Sequence, residues 1–256
     1  MEGVYAVAKK ERLRTRNGAT YLALQLVDPS GRIDARVWND VELLDARFAE
    51  GDAVRVLGRV ERFRDRLQLE VRTLEPAEGV DPEGMAPAMR RDADEVEGFL
   101  EFLTAEIHDD GLRTIVSRVL AGAPLRTYPA TPDGHHSYAG GLLEHTVGVG
   151  TICRELSQLH PRLRADLLLA ATLVHDVGRT RELSPAPLFQ PTEEGKLLGH
   201  VHLGLRMLEE AGAPAELLHA VACHHDVRAA RTAEAAVLYH ANQLDAVAAT
   251  RPVPAE

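Results

Sequence analysis

Eleven of the twelve histidines in this 256-residue chain fall between His135 and His240. Within that stretch, His145, the pair His175-Asp176, His200, the pair His224-His225 and Asp245 combine imidazole nitrogens with carboxylate oxygens and no thiolate. Such a donor set suits borderline to hard divalent cations such as Mn, Fe, Co, Ni or Mg better than a structural zinc. Their surroundings point the same way. His175 and Asp176 close a very apolar helix predicted over 167–177, with Gly178 as its C-cap. Asp245 is an isolated carboxylate in a second apolar helix, predicted over 235–249. Burying a polar side chain without a partner costs about 1–3 kcal/mol, more for a charge. A bound metal would supply the partner.

These residues lie on elements whose apolar spacing is three and four: Phe99, Leu100, Leu103 and Ile107, then Leu167, Leu168, Ala171 and Val174. Helices are expected from Ala93 to about Ala249, with loops at 122–137 and 178–192. The first 75 residues follow a different period. Leu22, Leu24 and Leu26 alternate with Tyr21, Ala23 and Gln25, and Ile33, Ala35 and Val37 alternate with Asp34, Arg36 and Trp38. Val54, Val56 and Val60 are expected to face inward, as are Leu67, Leu69 and Val71. Asn17-Gly18 and Asp28-Pro29-Ser30-Gly31 read as turns. A short helix, about 41–48, separates the third strand from the fourth. Five strands with a helix at that place match the OB-fold, a small Greek-key barrel. Pro76, Gly79, Pro82, Gly84 and Pro87 break the pattern without a period of their own. The expected organisation is multidomain α+β: a five-stranded OB-fold barrel over 1–78, a linker over 79–92, and an all-α domain over 93–256.

The net charge of −10 argues at first against nucleic acid. Residues 1–78, however, carry 14 basic and 14 acidic side chains, so the negative charge lies wholly in the histidine-rich remainder, where cations would offset it. Two cysteines, Cys153 and Cys223, are too few for a disulfide framework. No apolar run is long enough to span a bilayer, and the N-terminus lacks a basic-then-apolar signal pattern. A cytoplasmic location without membrane attachment is expected.

The order His, His-Asp, Asp resembles the ligand pattern of the HD phosphohydrolase superfamily. His-His-Ser-Tyr-Ala-Gly-Gly-Leu-Leu-Glu-His at 135–145, Glu-Gly-Lys-Leu-Leu-Gly-His at 194–200 and Leu-Asp-Ala at 244–246 resemble, more narrowly, the YhaM family of 3′–5′ exoribonucleases. That resemblance covers nearly the whole chain and implies an OB-fold followed by an HD domain. It also implies that His145, His175, Asp176 and Asp245 hold one divalent ion. Asp176 would bridge to a second ion, held by His200 and His224 with His225 as a ligand or phosphate contact. Manganese leads among the candidate ions. Asp176, His225 and Arg179 would then carry the catalysis, by in-line attack of a metal-activated water on phosphorus. Arg179 stands where the family usually has lysine, and an arginine contacts a phosphate in bidentate fashion. Asn242-Gln243 replaces a favoured Asp-Asn, which removes a carboxylate.

Substrate contacts are expected at His135, His136 and Arg179, and on the barrel at Tyr21, Arg36 and Trp38, where OB-folds stack bases. Lys9, Lys10, Arg12, Arg14 and Arg16, with Arg64 and Arg66, would surround that face with basic loops. Isolated histidines on helices are usually structural, and His108, His160, His202, His219 and His240 are assigned to that class. The reading is an exoribonuclease acting on single-stranded nucleic acid, RNA before DNA, with a homo-oligomer admitted as its assembly. A nucleotide or cyclic-dinucleotide phosphohydrolase is the second reading, disfavoured by the strand-binding barrel. A non-catalytic nucleic-acid-binding regulator is the third, disfavoured by the complete ligand set.

Overall fold

The structure is a computed structural model that describes residues 1–64 and 66–250. The chain divides into two units, Met1–Ala88 with Pro185–Phe189, and Met89–Ser184 with Gln190–Glu256.

The first unit is a closed barrel of β1 (Glu2–Arg14), β2 (Thr20–Asp28), β3 (Gly31–Val37), β4 (Ala53–Phe63) and β5 (Arg66–Pro76), with α1 (Val41–Asp45) between β3 and β4. The spatial order is β1-β2-β3-β5-β4, and β4 returns to pair with β1. Among the described residues only the β3–β5 pairing is parallel; the others are antiparallel. Alternation puts Leu22, Leu24, Leu26, Ala35, Val37, Val54, Val56, Leu69 and Val71 in the core, joined by Phe48. Two expected core residues are not there. Val60 is 41% and Leu67 59% exposed. The β4–β5 pairing runs on to Phe63 and Arg66, whereas β3 meets β5 only over Gln68–Val71. Val60 and Leu67 have the inward parity, but at that end of the hairpin less of the barrel remains to cover them. The expected helix over 41–48 stops at Asp45. In the stretch read as linker, Glu83–Met85 forms a single 3₁₀ turn, and Met85 packs on Ala6, Ala8 and Val27.

The second unit is helical: α2 (Ala93–Ala105), α3 (Asp110–Ala121), α4 (Gly141–Leu159), α5 (Ala165–Val174), α6 (Arg179–Glu182), α7 (Glu193–Glu210), α8 (Ala215–Ala222) and α9 (Ala233–Thr250). Side chains cap four of the starts, Thr232 at α9 by accepting from the Ala235 amide. Asp92 accepts from the amides of Asp94 and Glu95, Asp109 from Leu112, and Thr192 from Gly195. Every residue of α5 from Leu167 to Val174 is buried, because this helix is apolar on all sides and packs among α2, α3, α4, α8 and α9. Polar groups at its C-terminal end therefore enter the interior. No helix among the described residues is long and apolar enough to cross a membrane.

Gly178 has a role other than the one its position suggested. Its backbone is right-handed (φ −61°, ψ −17°), so it does not form a left-handed cap, and α6 begins at the next residue. A Cβ there would lie 2.0 Å from the carbonyl oxygen of His200 and 2.5 Å from the amide of Gly204. Glycine is needed because α7 crosses against this backbone.

Candidate active site

Five helices bring the predicted ligands together. His145 comes from α4, His175 and Asp176 from the end of α5, His200 from α7, His224 and His225 from the turn after α8, and Asp245 from α9. The Asp176 carboxylate is the meeting point. Its Oδ2 lies 3.8 Å from His145 Nε2 and 3.7 Å from His175 Nε2. Its Oδ1 lies 3.2 Å from His200 Nε2 and 3.4 Å from His224 Nε2. His225 joins the second group, with its Nε2 at 2.9 Å from His200 Nε2. Two donor sets, His145-His175-Asp176 and Asp176-His200-His224-His225, thus share one carboxylate.

The tautomers follow from the other ring nitrogen. His175 Nδ1 donates to the Thr172 carbonyl at 2.7 Å and His224 Nδ1 to the Val221 carbonyl at 2.6 Å. His145 Nδ1 donates to Asp245 Oδ2 at 2.6 Å. Carbonyls and ionised carboxylates only accept, so each Nδ1 carries a proton and Nε2 is the ring atom turned toward Asp176 as a prospective ligand. Burial also pushes the His175 imidazole down to about 3, so it stays neutral at physiological pH. Burial alone would raise the Asp176 carboxyl. Neighbouring groups, the Arg179 guanidinium first, outweigh that and hold it well below the usual carboxylate range.

Asp245 stands apart from the arrangement that the resemblance implied. It lies behind the His145 ring, on the Nδ1 side, and also accepts from His136 Nε2 at 3.0 Å. Its carboxylate orients His145 and does not belong to either donor set around Asp176. Gly148 makes room for it, since a Cβ there would fall 2.4 Å from Asp245 Oδ1. His136 continues the chain of contacts: its Nδ1 lies 2.7 Å from the Tyr138 hydroxyl, which donates to Glu144 Oε2 at 2.6 Å. The His135 ring sits 5.0 Å from that of His145. Arg179 is nearly buried. Its Nη1 donates to Glu182 Oε2 at 2.6 Å, and its Nε is 3.7 Å from Asp176 Oδ1.

On the barrel, Tyr21 and Trp38 stack with ring centroids 4.7 Å apart, and the Arg36 guanidinium lies 6.0 Å from the Tyr21 ring. With Glu61, Arg62, Phe63, Gln68 and Glu70 they line a groove of about 350 Å³. Lys9–Arg14 do not form the basic loop expected beside it. They belong to β1, where Lys10 is held by Asp45 and by the carbonyls of Asp45 and Phe48, and Arg12 pairs with Glu42.

Family models of the HD domain and of the OB-fold nucleic acid binding domain match residues 142–247 and 6–77, respectively. The 3′–5′ exoribonuclease YhaM of Oceanobacillus iheyensis is 30% identical over 240 residues, which cover 88% of this chain and 75% of that protein. The chain belongs to the YhaM family. The YhaM exoribonucleases of Bacillus velezensis and Bacillus subtilis are each 28% identical over 249 residues, covering 90% of this chain and 79% of theirs.

An HD domain implies dependence on divalent metal, and the side chains of this YhaM-family chain fit such ions. Asp176 Oδ1 is buried without a hydrogen-bond partner. His145 and His175 bring their Nε2 atoms to 3.3 Å, and His200 and His224 theirs to 3.4 Å. Ring nitrogens and a carboxylate brought this close together suit a shared cation, whose charge would offset the carboxylate.

Sequence reasoning assigned no role to four further members of this site. Glu182 accepts from Arg179 and from the His200 amide; its spacing of three from Arg179 on a helix was the available signal. Tyr138 and Glu144 lay inside the quoted 135–145 motif without an assigned role. Asn242, one of the departures from the YhaM pattern, is buried and donates to the His224 carbonyl at 3.3 Å, which a carboxylate could not do.

Proposed function

We propose that this chain is a metal-dependent 3′–5′ exoribonuclease that uses two divalent ions, manganese by preference. The observation that carries the reading is the Asp176 carboxylate, with one oxygen toward His145 and His175 and the other toward His200 and His224. A single carboxylate set between two groups of imidazoles suits a pair of ions, one to each group. When bound, such ions supply Lewis-acid charge to a phosphodiester and a water acidic enough to lose its proton near neutral pH.

The chain's own groups do the rest. His145, His175 and Asp176 would hold one ion, with Asp245 fixing the His145 ring. Asp176, His200, His224 and His225 would hold the other. Arg179, kept beside Asp176 by Glu182, offers a guanidinium to a non-bridging phosphate oxygen. His135, which borders the His145 side, would meet the substrate, whereas both ring nitrogens of His136 are engaged by Tyr138 and Asp245. Residues 1–78 would bind the strand, with 79–92 as linker and 93–256 as the hydrolytic domain. Stacking on Tyr21 and Trp38 accepts any base and suits a single strand, because a duplex keeps its base faces covered. A cytoplasmic site of action accords with an RNA substrate.

Incubating 5′-labelled single-stranded RNA and DNA with the protein and Mn²⁺ tests this reading. We expect labelled RNA to shorten progressively, DNA more slowly, and chelator to stop both. Immediate release of the label as a mononucleotide would overturn the direction, and hydrolysis in excess chelator would overturn the metal dependence.

A further inference from the structure

Helix α7 is not continuous. Gly199 interrupts it with φ 69° and ψ 160°, a conformation that glycine adopts readily and that a side chain would oppose. The break falls immediately before His200. An amide that follows such a break has lost its partner four residues back and needs another acceptor. Glu182, the last residue of α6, provides it: its Oε1 accepts from the His200 amide at 3.1 Å. The same oxygen lies 3.5 Å from His200 Nδ1, opposite the Nε2 that faces Asp176. The other carboxylate oxygen accepts from Arg179 Nη1 at 2.6 Å. One side chain therefore touches the backbone and ring of His200 and the guanidinium beside Asp176.

We infer that Glu182 is the positioning residue of the Asp176-His200-His224-His225 half of the site, holding His200 in the orientation that the Gly199 break makes available. This rests on the reading of His200 as a metal ligand. Carboxylates on the far nitrogen of a ligating histidine fix its ring and raise its basicity, and removing one weakens metal binding by about 10- to 100-fold. A carboxylate that merely capped the second half of α7 would have a different signature. Its loss would lower the stability of the metal-free chain and leave metal affinity alone.

Calorimetric titration of the chelator-stripped full chain with Mn²⁺ separates the two roles, alongside thermal melts of the stripped proteins. For the unsubstituted chain we expect two equivalents bound. Glu182→Ala should weaken one of them about 10- to 100-fold and spare the other, beyond any fall in the metal-free melting temperature from uncapping the His200 amide. Glu182→Gln should fall between, because its amide oxygen still accepts from the His200 amide. His200→Ala should lose the same equivalent. If His200→Ala loses an equivalent while Glu182→Ala binds both at full affinity, Glu182 is only a cap and the inference fails. If His200→Ala also binds both, the ligand reading and this inference fall together. Should Glu182→Ala not fold, unchanged affinity in Glu182→Gln overturns the inference.

Discussion

The histidine pocket and the aromatic groove are both polar regions set on apolar scaffolds, yet they are built on opposite plans. In the pocket, side chains from five helices converge. The rings of His145, His175 and His224 each have a fixed partner on the nitrogen that faces away from Asp176. In the groove, Tyr21, Arg36 and Trp38 come from two neighbouring strands, and Trp38, one residue beyond β3, remains 43% exposed. Metal chemistry tolerates little error in ligand position, so its geometry is over-determined by packing. Stacking on a moving strand needs an accessible face more than a rigid one. Substitutions in the first region should therefore act in an all-or-none manner, and those in the second by degrees.

The comparison breaks most clearly at Asp176. Asp176→Ala removes the carboxylate common to both donor sets, and we expect hydrolysis at background and less bound metal, while circular dichroism shows the helices intact. Full activity in this variant would end the two-ion reading. Gly178→Ala tests the packing behind the pocket. A methyl group directed at the His200 carbonyl forces α7 away, and overpacking of this kind destabilises by about 1–3 kcal/mol. A thermal melt should show the loss, together with weaker metal binding; an unchanged melt would mean that α7 yields freely. On the barrel side, Trp38→Ala should weaken single-stranded RNA binding by roughly five- to a hundred-fold, since stacking contributes about 1–3 kcal/mol per base. Metal content should not move. Trp38 is the only tryptophan, so its fluorescence should report RNA in the unsubstituted chain. No response to RNA and an unaltered affinity would take the groove out of the binding path. The smallest effect belongs to Lys196, whose pair with Glu193 is exposed and screened by solvent. Lys196→Ala should leave melting, metal binding and activity unchanged, and any large loss would show that the pocket extends along α7.

Much of this could be read from residue order. Period-two alternation placed Leu22, Leu24 and Leu26 inside the barrel, because a strand side chain has only two faces to choose between. It failed at Val60 and Leu67, which have the right parity but sit where β3 no longer covers the hairpin; parity says nothing about how far a neighbouring strand reaches. The ligand types were legible because histidine and aspartate at the end of an apolar helix have few other reasons to be there. Gly178 was noticed for the right position and the wrong reason, since a close crossing by α7 leaves no mark in the local sequence.

Residue order set the two periodicities, hence a barrel and a helical unit, and the nitrogen-oxygen donor set with its preference for divalent ions. How the donors divide came from the packing of the helices. It put the two oxygens of Asp176 toward different histidines, set Asp245 behind His145 rather than beside Asp176, and enlisted Glu182 and Asn242. These pairings join residues far apart in the chain, 100 positions in the case of His145 and Asp245. Helical and strand periods describe which face a side chain takes on its own element. Which atom meets it across the core depends on how the helices cross, and that is settled only when they pack.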